Sequence, residues 1–139
     1  MTTDRIAVDI KVPNQTRYLC LIGQIGENIA HTLRNYGGDR AELAYALNLV
    51  LTEAMANAIQ HANEKDPAKE VHIEINIVDQ HLIIRVFDFG QGFDFKPYIK
   101  PSHPLDEHGR GIYLIHTIMD KISYQTTESG HVLEMVKKL

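Results

Sequence analysis

Asp88, Gly90 and Gly92 in "RVFDFGQGFDF" place a carboxylate where an apolar segment breaks into glycines. Glycines there permit positive φ and a close backbone approach to a ligand. Further on, "HGRGIYLI" sets Gly109 and Gly111 at the mouth of a helix. A glycine-opened helix start offers free N–H groups and the positive end of the helix dipole, which suits phosphate. Upstream, Glu53, Asn57 and His61 recur at i, i+4 and i+8 in "LTEAMANAIQHAN". On a helix, successive members turn by about 40° and form one slanting stripe. Buried without partners among Leu51, Ala54, Met55 and Ala58, such a carboxylate or amide destabilises the helix by a few kcal/mol. Two readings fit the stripe: a partly exposed polar edge, or a helix lining a polar pocket.

The elements that must position these residues follow from periodicity. "RIAVDIKV", 5–12, alternates apolar and polar residues and reads as a strand. Ile22, Ile25, Ile29 and Leu33 mark a helix that the glycines of "NYGGD" stop. Asp39 is the expected N-cap of a second helix running to about residue 62, apolar nearly all round and therefore deep in the structure. After the polar loop "NEKDPAKE" come strands at 71–78 and 81–89, joined by a tight turn at Asp79-Gln80 that lacks the usual glycine. Residues 90–108 form a loop of roughly 19 residues, a length typical of functional lids or disordered segments. "GRGIYLIHTIMDK" reads as a short amphipathic helix, and "ISYQTT" and "HVLEMVKKL" as two strands around the turn "ESG". The order β-α-α-β-β-loop-α-β-β implies an α+β fold, with helices on one face of a largely antiparallel sheet. Length predicts one domain over residues 1–139.

Several functions are excluded. Asp88-Phe89-Gly90 spells the magnesium-holding triplet of protein kinases. The chain is too short for their two lobes, however, and carries neither a His-Arg-Asp catalytic loop nor a glycine-rich loop ahead of a strand lysine. No Walker loop is present. Apolar residues make up 44% and charged residues 23%, the balance of a globular domain, and a net charge of −4 provides no basic field for nucleic acid or an anionic membrane. The single Cys20 precludes an internal disulfide, fits a reducing compartment and, among Tyr18, Leu19, Leu21 and Ile22, reads as a buried thiol. The N-terminus lacks a signal-peptide core and no apolar run approaches 18 residues, so a cytoplasmic location is expected.

Taken together, Glu53-x3-Asn57 on an apolar helix, then Asp88-x-Gly90-x-Gly92 after a strand, then a lid and Gly109-x-Gly111 before a helix resemble the GHKL ATPase superfamily. That superfamily includes gyrase-type ATPase domains, histidine kinases and chaperone ATPases. The resemblance spans essentially the whole chain. The short lid and "GIYLIHTIMDKISY" look most like the bacterial anti-sigma-factor serine/threonine kinases. It implies a two-layer sandwich on a mostly antiparallel mixed sheet (the Bergerat fold), ATP and Mg2+ as cofactors, and protein phosphorylation as the activity. By resemblance, Asn57 ligates the magnesium that bridges the triphosphate, and Glu53 is the general base for an attacking hydroxyl. Asp88 takes the adenine amino group, and Gly90 and Gly92 admit the nucleotide. Gly109, Arg110 and Gly111 cradle phosphates, His61 stands near them, and Arg17 reaches the γ-phosphate. The partners it implies are a small anti-sigma antagonist with a phosphorylatable Ser or Thr, a sequestered sigma factor and a second copy of the chain. The other class of function is a nucleotide-dependent binding module without phosphotransfer; a general base at Glu53 favours the enzyme.

Two departures and a decoy accompany the resemblance. The final hairpin turn, "SGHVLE", lacks the threonine that relatives use near adenine, and Glu107-His108 thins the glycine segment ahead of Gly109. "HTLRN", 31–35, resembles the phosphoacceptor box of sensor histidine kinases. Thr32 and Tyr36 break that pattern, so His31 reads as a helix-surface residue.

Overall fold

A computed structural model describes residues 4–63, 66–90 and 107–139, with backbone alone at 61–62 and 107–110. Strand β1 (Ile6–Pro13) leads through a 3-10 turn (Thr16–Tyr18) into helix α1 (Leu19–Thr32). Helix α2 (Arg40–Asn57) ends in a π-helical turn (Ala58–Ala62). Strands β2 (Glu70–Val78) and β3 (His81–Asp88) follow, then α3 (Glu107–Ile118), β4 (Lys121–Thr126) and β5 (His131–Lys138). The sheet order is β1-β2-β3-β5-β4, and all four ladders are antiparallel. The three helices cover one face of this sheet, with α2 between α1 and α3. The α+β sandwich expected from the element order is thus present, and every strand pairing among the described residues is antiparallel. Of the loop expected at 90–108, residues 91–106, Gly92 among them, lie outside the described residues, while 107 and 108 belong to α3 rather than to the loop.

Alternation builds the core. Val71, Ile73, Ile75 and Ile77 of β2 and Leu82, Ile84 and Val86 of β3 face the helices, each at most 2% exposed. Each such aliphatic side chain contributes roughly 1.5–3 kcal/mol on burial. Helix α2 buries Leu43, Leu47, Val50, Leu51, Ala54 and Met55, and Asp39 caps it by accepting from the Glu42 N–H at 3.1 Å. On the other face of the sheet Arg85 bonds Glu134 at 2.7 Å and lies 3.5 Å from Glu74, and the hydrogen bond to Glu134 raises its pKa further.

Cys20 departs from expectation, because its thiol is exposed. Helix α1 packs through Ile22, Gly26, Ile29 and Ala30. Cys20 precedes Ile22 by two residues, a rotation of about 200°, which turns it away from the core despite its apolar neighbours. Leu21 beside it is 52% exposed. His31 is exposed on the last turn of α1.

The turn between β2 and β3 holds Asp79 at φ 51° and Gln80 at φ 63°, the paired positive values of a type I′ hairpin. Left-handed backbone costs an L-residue about 1–2 kcal/mol, and Gln lacks the short polar side chain that lets Asp tolerate it. Gln80→Gly is therefore expected to stabilise the fold by about 1 kcal/mol, read as a higher denaturation midpoint. An unchanged or lower midpoint would contradict the strain assigned to Gln80.

Candidate active site

The period of β3 decides where Asp88 points. Leu82, Ile84 and Val86 face the core, and Asp88 continues that series, 2% exposed. A buried carboxylate needs donors, and three reach it. Tyr124 donates its hydroxyl to Oδ2 at 2.8 Å. The Gly90 N–H donates to Oδ1 at 3.2 Å, and His131 Nδ1 lies 3.3 Å from the same oxygen. The hairpin tip closes tightly on this strand end. A Cβ added at Gly130 would overlap the Asp88 carbonyl and lie 2.9 Å from Phe89 Cα, so only glycine fits.

Glu53 and Asn57 lie on the α3 side of α2. A Cβ added at Gly111 would strike Glu53 Oε2 and stand 3.2 Å from Asn57 Nδ2. Gly111 therefore lets α3 come against the carboxylate and the amide together. The Asn57 amide donates from Nδ2 to the Glu53 carbonyl at 2.8 Å, four residues back, which leaves its oxygen as an acceptor. Asn57 is 7% exposed, and Glu53 is half-buried. Magnesium takes oxygen ligands, few of them from protein, and an Asn oxygen beside a carboxylate meets that requirement. Among the described residues no cluster of three or more His, Cys, Asp or Glu side chains could hold a metal alone.

The structure brings Glu53, Asn57 and Gly111 into one contact, and Asp88 and Gly90 into another. Gly109 and Arg110 lie in the first turn of α3, and His61 in the π turn after α2; their side-chain positions and Gly92 fall outside the described residues. Arg17 is exposed on the 3-10 turn with its guanidinium 5.7 Å from the Tyr18 ring centroid. No hydrogen bond or ion pair among the described residues joins it to Glu53, Asn57 or Asp88.

Three residues at this site escaped the sequence reading. Asn63 is fully buried and staples the strand ends. Its Nδ2 donates to Asn14 Oδ1 at 3.0 Å and to the Glu70 carbonyl at 3.2 Å, and its Oδ1 accepts from the Phe89 N–H at 3.0 Å. The π turn delivers it there, with the Asn63 N–H bonding the Ala58 carbonyl five residues back at 2.8 Å. An Asn closing an apolar helix was the only sequence signal. Tyr124 and His131 are the other two. A separate concavity lined by Leu33, Tyr36, Ile77 and Leu139 lies at the opposite end of the sheet from Asp88.

Comparison with known proteins adds independent information. Residues 22–137 match the histidine kinase-like ATPase domain family. The serine-protein kinase RsbW of Bacillus subtilis (strain 168) is 34% identical over 142 residues, covering 95% of this chain and 85% of that protein. RsbW of Bacillus velezensis is 31% identical over 149 residues, covering 100% and 89%. Among solved structures, the histidine kinase domain of the blue-light activated histidine kinase from Erythrobacter litoralis EL346 superposes with a TM-score of 0.56 at 18% identity. That match covers 92% of this chain and 62% of the other, and it bears on the fold alone.

Proposed function

The chain belongs to the histidine kinase-like ATPase domain family, and from that premise we propose an ATP-dependent protein serine/threonine kinase of the anti-sigma-factor type, carried by one domain over residues 1–139. The observation that carries the proposal is the contact at Gly111, where the Glu53 carboxylate and the Asn57 amide meet the N-terminal part of α3. Asp88, buried at the end of β3, accepts the adenine amino group, and Gly90 and Gly92 leave room for the base. Gly109, Arg110 and Gly111 hold the phosphates at the start of α3, with His61 nearby. Asn57 supplies an oxygen to Mg2+, which neutralises charge on the triphosphate when bound.

In the reaction, Glu53 accepts the proton of a serine or threonine hydroxyl on the protein substrate. The hydroxyl oxygen bonds the γ-phosphorus, the bond from that phosphorus to the β–γ bridging oxygen breaks, and ADP leaves. Arg17 steadies charge on the γ-phosphate. The substrate is a small anti-sigma antagonist, and a sigma factor is the sequestered partner in a partner-switching circuit. The kinase works in the cytoplasm as a homodimer. The names of the relatives and the match over nearly the whole chain support the kinase reading. Among the described residues no helix is long and apolar enough to cross a membrane.

Calorimetry tests the magnesium assignment. Wild-type protein is expected to bind ATP more tightly with magnesium present, and Asn57→Ala to bind it equally with and without. A magnesium response unchanged in Asn57→Ala would remove that residue from the site. Transfer is tested by incubation with Mg-ATP and the antagonist, followed by mapping of the phosphorylated residue.

A further inference from the structure

Strand register sets His131 directly opposite Asp88 and Tyr124 opposite Leu133, with both rings on the side of the sheet that buries Asp88. The two rings stack, with centroids 5.2 Å apart and planes 7° apart, and each reaches the carboxylate, Tyr124 at Oδ2 and His131 at Oδ1. Gly90 N–H is the third donor, also on Oδ1.

A carboxylate has about four lone-pair sites, two on each oxygen. The donors on Oδ1 occupy both of its sites, and the Tyr124 hydroxyl occupies one on Oδ2. Among the described residues a single acceptor site remains, on Oδ2. It takes one N–H, which the 6-amino group of adenine provides. Guanine differs along this edge. It presents an N1–H and a 2-amino group side by side, a pair that a carboxylate with both oxygens free accepts in fork geometry. At position 6 it carries an acceptor oxygen, which repels Oδ2.

We propose that Tyr124 and His131 are specificity-determining residues for the purine: by taking one site on each oxygen, beside the Gly90 N–H that completes Oδ1, they deny guanine its paired contact and leave Asp88 the one site that an adenine amine fills. They act through Asp88 as positioning residues. The proposal rests on the reading of Asp88 as the purine-binding carboxylate, and the test separates the two.

The experiment is calorimetry of the full chain with Mg-ATP and with Mg-GTP. Wild-type protein is expected to prefer ATP. Tyr124→Phe keeps the ring and its stack but removes the donor. It should lower the ATP-over-GTP preference about tenfold, the effect of one hydrogen bond to a charged group. His131→Ala should lower it similarly. His131→Asn, whose amide nitrogen takes the place of Nδ1, should restore it. A purely structural role predicts affinities for both nucleotides falling in step. An unchanged preference in Tyr124→Phe and His131→Ala, or such a parallel fall, overturns the proposal while leaving Asp88 as the purine site. Wild-type protein that binds neither nucleotide overturns the reading of Asp88 itself.

Discussion

Glu53→Gln is expected to slow phosphoryl transfer to the protein substrate by about 10²–10⁴-fold, the range a positioned general base contributes. A serine hydroxyl is a poor nucleophile, and its proton must leave as the oxygen bonds phosphorus. Gln matches Glu in size, so the contact that Gly111 makes with this side chain survives. It also retains the backbone carbonyl of residue 53, which holds Asn57. Nucleotide affinity and partner binding should therefore stay near wild type while single-turnover transfer collapses. A variant that transfers at the wild-type rate places the base elsewhere. One that loses ATP binding as well as transfer would show that Glu53 holds the nucleotide rather than the proton.

The second large effect lies at the end of β3. Asp88→Asn should weaken ATP binding by about 10–100-fold, the value of one hydrogen bond to a charged acceptor at about 1.5–3 kcal/mol. The carboxylate accepts at both oxygens, from Tyr124 on one and from Gly90 and His131 on the other. An amide accepts at one atom only. Whichever way it flips, its nitrogen faces a donor, either within the protein or on adenine. The position is 2% exposed, so water does little to relieve the mismatch. Equal affinity of the two proteins by calorimetry would mean that the base binds elsewhere, and thermal denaturation of both controls for a change in the fold.

Much of this arrangement is written locally in the chain. Alternation in "VHIEINIV" and "HLIIRVFDF" gives β2 and β3, and it already sets Asp88 in phase with Leu82, Ile84 and Val86 on the buried face. The spacing of Glu53 and Asn57 places both on one side of α2, and Asp39 caps that helix as its type and position predict. What escaped depends on distant partners. Asn63 bonds residues 49 and 26 positions away, and Asp88 meets Tyr124 and His131 at separations of 36 and 43. Within "HANEKDPAKE" such an Asn is indistinguishable from an exposed loop residue. His131 becomes visible only once the register of β5 on β3 is known, because a one-residue slip would turn it to the other face. Cys20 was misread because apolar neighbours in sequence are spread around a helix rather than gathered on one side of it.

The contact of Glu53 and Asn57 with α3 and the buried carboxylate of Asp88 support one proposal, that this chain moves a phosphoryl group from ATP to a hydroxyl of another protein. The most direct measurement is the intact mass of a candidate antagonist after incubation with the protein and Mg-ATP, with the modified residue mapped by fragmentation. The account predicts the gain of one phosphate on a serine or threonine, absent without ATP and nearly absent with Glu53→Gln. A protein that binds both ATP and the antagonist yet leaves the antagonist's mass unchanged would contradict it, and would instead be a nucleotide-dependent module that sequesters its partner without chemistry.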